Sequence, residues 1–298
     1  MVRQYKIHTN LDGTDDKVWD VTNGKVRFYQ PSNLGLQSTN NIWQSNGIGV
    51  MGTRSITQPQ IEFKLETFGE SLEENYRLMK DFINDILSKK FVTLEYQTEI
   101  FQVYADLALA DVTKTEGYGK NGTFSEKITF DIITKWYTYE NLTFDMVQNG
   151  KVISGKSKIY GGTAPGYYKY VKGTSYTYYG ETNIERLSRW DIKDEIFSFM
   201  GILYPKLPKT PTGVRFLDDI GNEYTAIVFK TEQVQDYILI NTDVNDETYQ
   251  GWKGTTALNL FPVMDFERYR TRIIEKGQME LINLSKAEFK IKRKADFV

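Results

Sequence analysis

The chain has 298 residues, of which 40% are hydrophobic and 26% charged, a composition typical of a globular protein with room for two domains. Its formal net charge of −2 excludes an overall field that would attract nucleic acid or a membrane surface. The absence of cysteine excludes disulfides, thiolate metal sites and cysteine nucleophiles, and is typical of a protein made in a reducing cytoplasm.

The first residues carry no apolar segment of the kind found in secretory signal peptides, and no apolar run is long enough to span a membrane.

Residues 3–30 predict short strands, because apolar and polar residues alternate. Asp12-Gly13 and Asn23-Gly24 are turn signals typical of hairpins. We therefore expect small antiparallel pairs at the start of the chain.

Residues 31–60 differ in composition from the rest of the chain. They are rich in Ser, Asn, Gln, Gly and Thr, and Arg54 is their single charged residue. A loop of this length without its own structure is uncommon in a compact domain and usually has a function, and solvated disorder favours more charge. We expect a projecting segment that packs on something else, such as a neighbouring subunit; an ordinary long loop is the alternative.

The clearest predicted element is a helix over residues 71–90. Ser71 and Glu74 form an S-x-x-E capping box at its start. Apolar residues then recur at steps of three and four, as one face of a helix requires. The predicted buried face consists of Leu72, Tyr76, Met79, Ile83 and Ile86.

Three alternating segments follow the helix, at 91–96, 101–109 and 124–132, and lead to the aromatic segment 135–139. Alternation with a period of two predicts half-buried strands. One amphipathic helix and several strands can cover each other's apolar faces. The first part of the chain therefore predicts an α+β core without evident chemistry.

Residues 146–180 contain five lysines and no acidic residue, together with glycine-rich turns. Such a stretch cannot bury much core, and tyrosine with glycine is typical of adaptable protein-binding surfaces. We expect an extended excursion that binds a protein partner, with a flexible linker that carries incidental tyrosines as the alternative. Aromatic rings also stack on sugars or bases, so composition alone does not decide the class of partner. The expected partner-binding residues are Tyr160, Tyr167, Tyr168, Tyr170, Tyr176, Tyr178 and Tyr179.

Residues 191–298 return to short alternating segments with turn signals between them. One hairpin is predicted around the turn 218–222, and the apolar run 237–240 predicts a buried strand. Many short strands at this spacing indicate a β-sandwich.

Two glycine motifs match nucleotide-binding patterns but lack the context that those patterns require. Residues 150–157 spell G-x-x-x-x-G-K-[ST], in which the amides at a helix N-terminus hold a phosphate; the glycines and the proline at 161–165 cannot form that helix. Residues 47–52 spell G-x-G-x-x-G, which needs a strand before it and a helix after it. Polar residues precede it here and a proline follows, so we expect two chance matches and no cofactor.

Asn241, Asp243 and Asn245 have the alternate spacing of a calcium loop, but Asp246 and Trp252 stand where an EF-hand has Gly and Glu. An acidic turn is therefore expected, with an irregular calcium site as the alternative. No metal site is predicted.

Catalytic residues are not predicted either. His8 is the single histidine, and nothing in the sequence indicates a Ser-His-Asp arrangement around it. The 39 acidic residues permit many carboxylate pairs for glycoside hydrolysis, but no spacing singles out one pair.

The order of features resembles the siphophage distal tail proteins (Dit). The residues that carry the resemblance are the capped helix 71–90, the paired strands 91–113 and the strand 124–139 that ends in aromatic residues. The segment 134–137 departs from the usual family version, in which a proline tends to precede the aromatics. The resemblance extends over the whole chain.

This resemblance implies a mainly β fold with one prominent helix. Residues 1–136 would be a ring-forming α+β domain, with 31–60 as a belt-like loop around the neighbouring subunit. Residues 137–298 would be a galectin-like β-sandwich that carries an arm and hand extension at 146–180. In lactococcal members of the family, this extension holds receptor-binding protein trimers.

The implied function is a structural hub, not an enzyme, at the distal end of a phage tail in the virion, made in the cytoplasm of the bacterial host. The implied partners are five further copies in a homo-hexamer, the tail tube protein, the tail-tip protein and the receptor-binding protein. DNA would pass through the lumen without specific binding, and no membrane is involved. The first alternative is a carbohydrate-binding module, for which Trp190 and Trp252 are the candidate platforms. The second is an enzyme, either a P-loop NTPase or a glycosidase.

Overall fold

The computed structural model describes residues 3–35, 37–57, 60–114, 125–144, 147–148, 151–152, 189–230 and 235–295. These residues form many strands and one α-helix, so the predicted fold class, mainly β with one prominent helix, is confirmed. The chain divides into two compact units: residues 1–138 with 295–298, and residues 139–294. Within the described residues, no helix is long and apolar enough to cross a membrane.

The first unit is an antiparallel sheet with one helix. Its elements are β1 Gln4–His8, β2 Val18–Asp20, β3 Val26–Ser32, β4 Gln37–Ser45, β5 Ile48–Thr57, β6 Gln60–Thr67, α1 Leu72–Leu87, β7 Val92–Gln97, β8 Gln102–Thr113 and β9 Ser125–Ile132. The strand order is β3-β6-β9-β8-β7-β1-β2, and β4 and β5 form a separate pair. Alternate strand residues, such as Ile61, Phe63 and Leu65, are buried in one core.

The helix begins as predicted, but its buried face only partly matches the predicted one. Ser71 Oγ accepts a hydrogen bond from the Glu74 amide at 3.2 Å, while the Glu74 carboxylate accepts one from the Glu70 amide at 2.7 Å. The predicted face is wrong at its N-terminal end, because Leu72 and Tyr76 are exposed. The rest of the predicted face does contact the core, because Ile86 is buried and Met79 and Ile83 are partly buried against it. The fully buried residues of the helix are Asn75, Phe82 and Ile86, so the buried face is rotated from the predicted one and overlaps it.

The second unit is a sandwich of two antiparallel sheets. Its strands are β10 Tyr137–Phe144, which begins in the first unit, β11 Val147–Gln148, β12 Lys151–Val152, β13 Arg189–Ile192, β14 Ile196–Pro205, β15 Thr212–Leu217, β16 Glu223–Phe229, β17 Tyr237–Asn241, β18 Thr248–Lys253, β19 Thr256–Asn259, β20 Gly277–Ile282 and β21 Leu284–Lys294. One sheet has the order β19-β18-β17-β14-β21-β10 and the other β13-β20-β15-β16. Phe199 and Phe216 meet between the sheets, with ring centroids 5.8 Å apart. The predicted sandwich and the predicted hairpin at 218–222 are therefore confirmed.

Candidate assembly surface

The projecting segment, which the sequence indicated as a long loop without its own secondary structure, contains a regular β-hairpin, so the prediction of a loop is wrong. Strands β4 and β5 pair with each other from Gln37 opposite Thr57 to Ser45 opposite Ile48. Asn46 and Gly47 join them with φ angles of 49° and 78°. Two consecutive residues at positive φ are the signature of a type I′ turn, the connection that matches the twist of a tight hairpin.

The hairpin exposes apolar side chains that its own unit does not bury. Trp43 is 68% exposed, Ile48 70% and Val50 62%, and Ile42 and Met51 are exposed as well. Burial of one such large apolar side chain stabilises a protein by about 1.5–3 kcal/mol. A cluster of them on one projecting element is therefore unfavourable in water, and is typical of a surface that binds another molecule.

Both faces of the hairpin are apolar. Residues directly opposite each other in an antiparallel pair point to the same side, so Trp43 and Val50 share one face, and Ile42 and Met51 share the other. The indole of Trp43 lies beside Gly52, where an added Cβ would be 3.3 Å from its Nε1 atom. A groove, or the space between two molecules, can cover both apolar faces of the hairpin, whereas a flat surface covers one.

The one charged residue of the hairpin contacts other hairpin residues. Arg54 donates from Nε to Asn40 Oδ1 at 2.9 Å, and its other end reaches the sulfur of Met51. This contact joins β5 to β4 beside the register shift between Asn40 and Ile42. The hairpin tip beyond it carries no charge, which favours an apolar contact surface.

The G-x-G-x-x-G match at 47–52 is a chance match, as expected. Gly47 is the second residue of the turn, and residues 48–57 form β5 rather than a helix. No helix N-terminus is therefore available for a phosphate. The signal that sequence reasoning missed is Asn46-Gly47 itself, the dipeptide most typical of a two-residue hairpin.

The predicted partner-binding tyrosines, from Tyr160 to Tyr179, lie outside the described residues, as does most of the G-x-x-x-x-G-K-[ST] match at 150–157. Their proposed roles rest on the sequence alone.

The calcium-like segment is an acidic turn. The Asp243 carboxylate accepts a hydrogen bond from Lys292 Nζ at 2.9 Å, and the side chains are 10% and 5% exposed. Asp243 also accepts from the Asn245 amide at 3.0 Å. The negative charge of Asp243 is therefore paired with the Lys292 ammonium of the same chain. Across the described ranges, no group of three metal-ligating side chains is brought together.

His8 is buried between two carboxylates. Its Nδ1 lies 2.6 Å from Asp16 and its Nε2 3.0 Å from Glu95, while Lys6 Nζ lies 2.7 Å from the other oxygen of Glu95. Burial lowers the pKa of His8, but the hydrogen bonds to Glu95 and Asp16 outweigh it, and the net pKa is raised. The bond from His8 is the largest cause that lowers the pKa of Glu95 to about 2, against burial. With both ring nitrogens engaged by carboxylates, His8 links strands and has no nitrogen left for catalysis.

The two tryptophans expected as sugar platforms differ in position. Trp190 packs against the sandwich core. Trp252 is half-buried on the outer face of the six-stranded sheet, where its ring is stacked 6.1 Å from that of Tyr237, with an angle of 11° between the planes. Tyr204 follows at 6.4 Å from Tyr237. Of the two candidates, Trp252 is therefore the one that belongs to an aromatic row among the described residues.

Comparisons with known proteins identify the family. A family model for the N-terminal domain of the distal tail protein matches residues 4–133, and one for the C-terminal domain of Dit matches residues 135–298. The chain is 96% identical over 298 residues to the distal tail protein of Lactococcus phage p2, with 100% of both covered. A solved structure of the phage P2 baseplate, in its activated conformation with Ca, contains a chain that is 96% identical, with a TM-score of 0.79 over 100% of both chains. The Dit protein of SPP1 is only 10% identical but shares the fold, with a TM-score of 0.51 over 98% of both chains. The chain therefore belongs to the distal tail protein (Dit) family.

Proposed function

We propose that this protein is the structural hub of a phage baseplate, assembled as a hexameric ring through its first unit. The observation that carries the proposal is the β4–β5 hairpin, which exposes apolar side chains on both faces. The relative from phage p2 is a distal tail protein, and a chain of nearly the same sequence is present in the solved baseplate. Both support a role in the assembly of the tail.

A ring accounts for the hairpin better than a two-fold dimer does. A head-to-tail interface joins two different surfaces of each copy, and it closes into a ring when the rotation between copies allows. An element that projects from one copy and is covered by the next makes such an interface. Every copy then contributes one hairpin and covers one hairpin, so that no hairpin remains exposed.

The ring would connect the tail tube protein to the tail-tip protein, and DNA would pass through its lumen without specific binding. The formal net charge of −2 supports passage without binding, because a nucleic-acid site needs a concentration of positive charge. No catalytic step is part of this function.

The second unit would carry receptor-binding protein trimers through residues 146–180. The support is compositional: seven tyrosines, five lysines and no acidic residue in this segment. Tyrosine anchors within a polar rim are typical of binding hot spots, and six copies around a ring would multiply the strength of attachment.

Negative-stain images and a deletion variant test this proposal. The purified protein should form closed rings with a central hole. Deletion of residues 150–180 should leave those rings intact but abolish co-purification with the receptor-binding protein. A protein that forms no rings, alone or with its tail partners, would contradict the hub function. If the deletion variant forms rings and still retains the receptor-binding protein, the arm assignment is wrong.

The aromatic row on the outer sheet face supports a carbohydrate-binding module as a second candidate. Trp252, Tyr237 and Tyr204 lie on adjacent strands, and Lys286 Nζ lies 5.3 Å from the ring centroid of Tyr204. Aromatic rings beside polar groups can stack on sugar rings. Binding of purified host cell-wall polysaccharide that is lost on Trp252→Ala, with Trp190→Phe as the control, would favour this function.

A further inference from the structure

The turn of the β4–β5 hairpin holds an asparagine in a chemically reactive position. Asn46 is followed by Gly47, and an asparagine loses its side-chain amide most readily before glycine, because glycine has no Cβ to hinder attack by its own backbone nitrogen. Both residues are exposed. A Cβ added to Gly47 would meet no atom within 4 Å, so the turn is open to water and to the reacting groups.

A second Asn-Gly pair of the first unit provides an internal comparison. The chain has four such pairs, and the structure describes two of them, Asn23-Gly24 and Asn46-Gly47. The Gly24 amide donates to the Asp20 carbonyl at 3.0 Å, and the Asn23 amide donates to Asp20 Oδ1 at 2.9 Å. Within the described part of the chain, no such bond engages the Gly47 amide. The nitrogen that would attack is therefore held at the first pair and free to react at the second.

The two turns also differ in the strands that support them. Asn23 lies between β2 and β3, which both belong to the large sheet, whereas β4 and β5 pair only with each other. An isolated two-stranded hairpin is marginally stable in water, so it opens locally at a low cost in free energy. Opening allows the backbone at Asn46 to rotate until the Gly47 nitrogen reaches the side-chain carbonyl carbon.

We propose that Asn46 is a site of spontaneous deamidation, through which a chain that remains unassembled loses its ability to assemble. The Gly47 nitrogen gives its proton to hydroxide and attacks the side-chain carbonyl carbon of Asn46. The new C–N bond closes a five-membered succinimide, and ammonia leaves. Water then opens the succinimide at either carbonyl and gives aspartate or isoaspartate. The balance is one water consumed and one ammonia released, without any change of oxidation state.

Both products change the hairpin tip. Aspartate adds a negative charge to a hairpin whose single charged residue is Arg54. Isoaspartate also adds one carbon to the main chain, which disrupts the two-residue geometry of a type I′ turn. The effect on assembly rests on the proposed function, in which the hairpin assembles the ring. A charge at a covered tip must be desolvated, and this cost weakens assembly.

Peptide mapping of an ageing sample tests the site. The native chain is kept dilute at mildly alkaline pH, digested at intervals and analysed by mass spectrometry, with fragmentation to assign the modified residue. Asn46 should convert about tenfold faster than Asn23, which corresponds to about 1.4 kcal/mol of additional opening free energy at the Asn23 turn. The rate at Asn46 should rise in proportion to hydroxide concentration, and should fall when the protein is concentrated into rings. Equal conversion at the two residues would overturn the inference.

Two variants separate the reaction from its effect on assembly. Gly-Gly and Asp-Gly both suit a type I′ turn, so Asn46→Gly and Asn46→Asp should retain the hairpin. Asn46→Gly has no side-chain amide at the turn and should keep the mass of the ring during ageing, as measured by light scattering. Freshly purified Asn46→Asp should already show the loss of rings that the native chain develops with age.

The outcomes distinguish this inference from the hub function. Rings that survive full conversion of Asn46, or an Asn46→Asp variant that assembles like the native chain, would overturn the inference and leave the hub function standing. An equal loss of rings in aged native and aged Asn46→Gly samples would also overturn it. A fresh native chain that forms no rings, alone or with its tail partners, would contradict the hub function and with it the effect on assembly, while the peptide map would still decide whether Asn46 is the modified site.

Discussion

Trp43 and Val50 lie directly opposite each other across the β4–β5 hairpin, and both side chains are largely exposed. An aromatic residue paired with a β-branched one stabilises a hairpin by about 0.2–1 kcal/mol. That is too little to maintain a lone pair of strands, since an isolated two-stranded hairpin is marginally stable in water. The hairpin therefore gains both burial and order when another molecule covers it.

The turn of the hairpin gives a first prediction. Gly47 has a φ of +78°, a conformation that costs a residue with a Cβ about 1–2 kcal/mol. Gly47→Ala should therefore speed amide hydrogen exchange over residues 42–51 and weaken ring assembly. Gly221→Ala is the control, since Gly221 has a φ of +89° in the β15–β16 hairpin. It should destabilise the second unit and leave assembly unchanged; equal loss of assembly in both variants would contradict this account.

The buried face of the helix gives a second prediction. Phe82 is fully buried, so Phe82→Ala should lower the free energy of unfolding by about 3–5 kcal/mol. Tyr76→Ala should change it by less than about 1 kcal/mol, because Tyr76 is 64% exposed. Chemical denaturation of the two variants at a concentration that keeps the protein monomeric makes the comparison. A larger loss at Tyr76 would show that the face predicted from the sequence is the buried one.

The buried His8 network gives a third prediction, for pH dependence. The raised pKa of His8 means that its stabilising contribution is complete below the ordinary value of 6.5 and is lost as the pH rises through the folded-state pKa. The pKa of Glu95, about 2 against 4.5, adds stability above pH 4.5 that is lost as the pH falls. The first unit should therefore lose stability above neutral pH, and His8→Gln should flatten that decline. Hydrogen exchange of β1 amides between about pH 5 and pH 9 measures it; an unchanged slope in the variant would refute the assignment.

The buried pair Lys292–Asp243 gives a fourth prediction. Lys292→Met leaves the Asp243 carboxylate buried without its cation and should cost about 3–5 kcal/mol. The double variant Lys292→Met with Asp243→Asn removes the charge, keeps an acceptor for the Asn245 amide and should recover most of the loss. Equilibrium denaturation of the second unit provides the free energies. If the double variant is no more stable than the single one, the pair does not act as a charge couple.

The helix was predictable in position but not in orientation. The capping box and the 3.6-residue period located the helix. The apolar face that the period predicts overlaps the face that is buried, and periodicity alone does not show which of the two points into the core. The core side includes Asn75, a polar residue that a hydrophobic pattern excludes. Its side-chain oxygen accepts a hydrogen bond from the Gly69 amide at 2.6 Å, which allows it to be buried.

The hairpin escaped prediction for a related reason. Alternation reveals a strand when one face is buried and the other is solvated, but both faces of β4–β5 are exposed in the single chain. The turn dipeptide Asn46-Gly47 was the remaining local signal. Long-range pairs such as Lys292–Asp243 carry no local signal, because their geometry depends on how β21 and the turn after β17 come together.

Light scattering on the purified protein and one pair of hairpin variants tests the central claim, that the hairpin assembles the ring. Six copies of the 34.6 kDa chain give a native mass of about 208 kDa for a closed ring. Trp43→Ser with Val50→Ser should give folded 34.6 kDa monomers, while Gln44→Ala, at an exposed polar position of the same hairpin, should retain the ring. A double variant that keeps the mass of the ring, or a native protein that stays monomeric at every concentration, would contradict the claim.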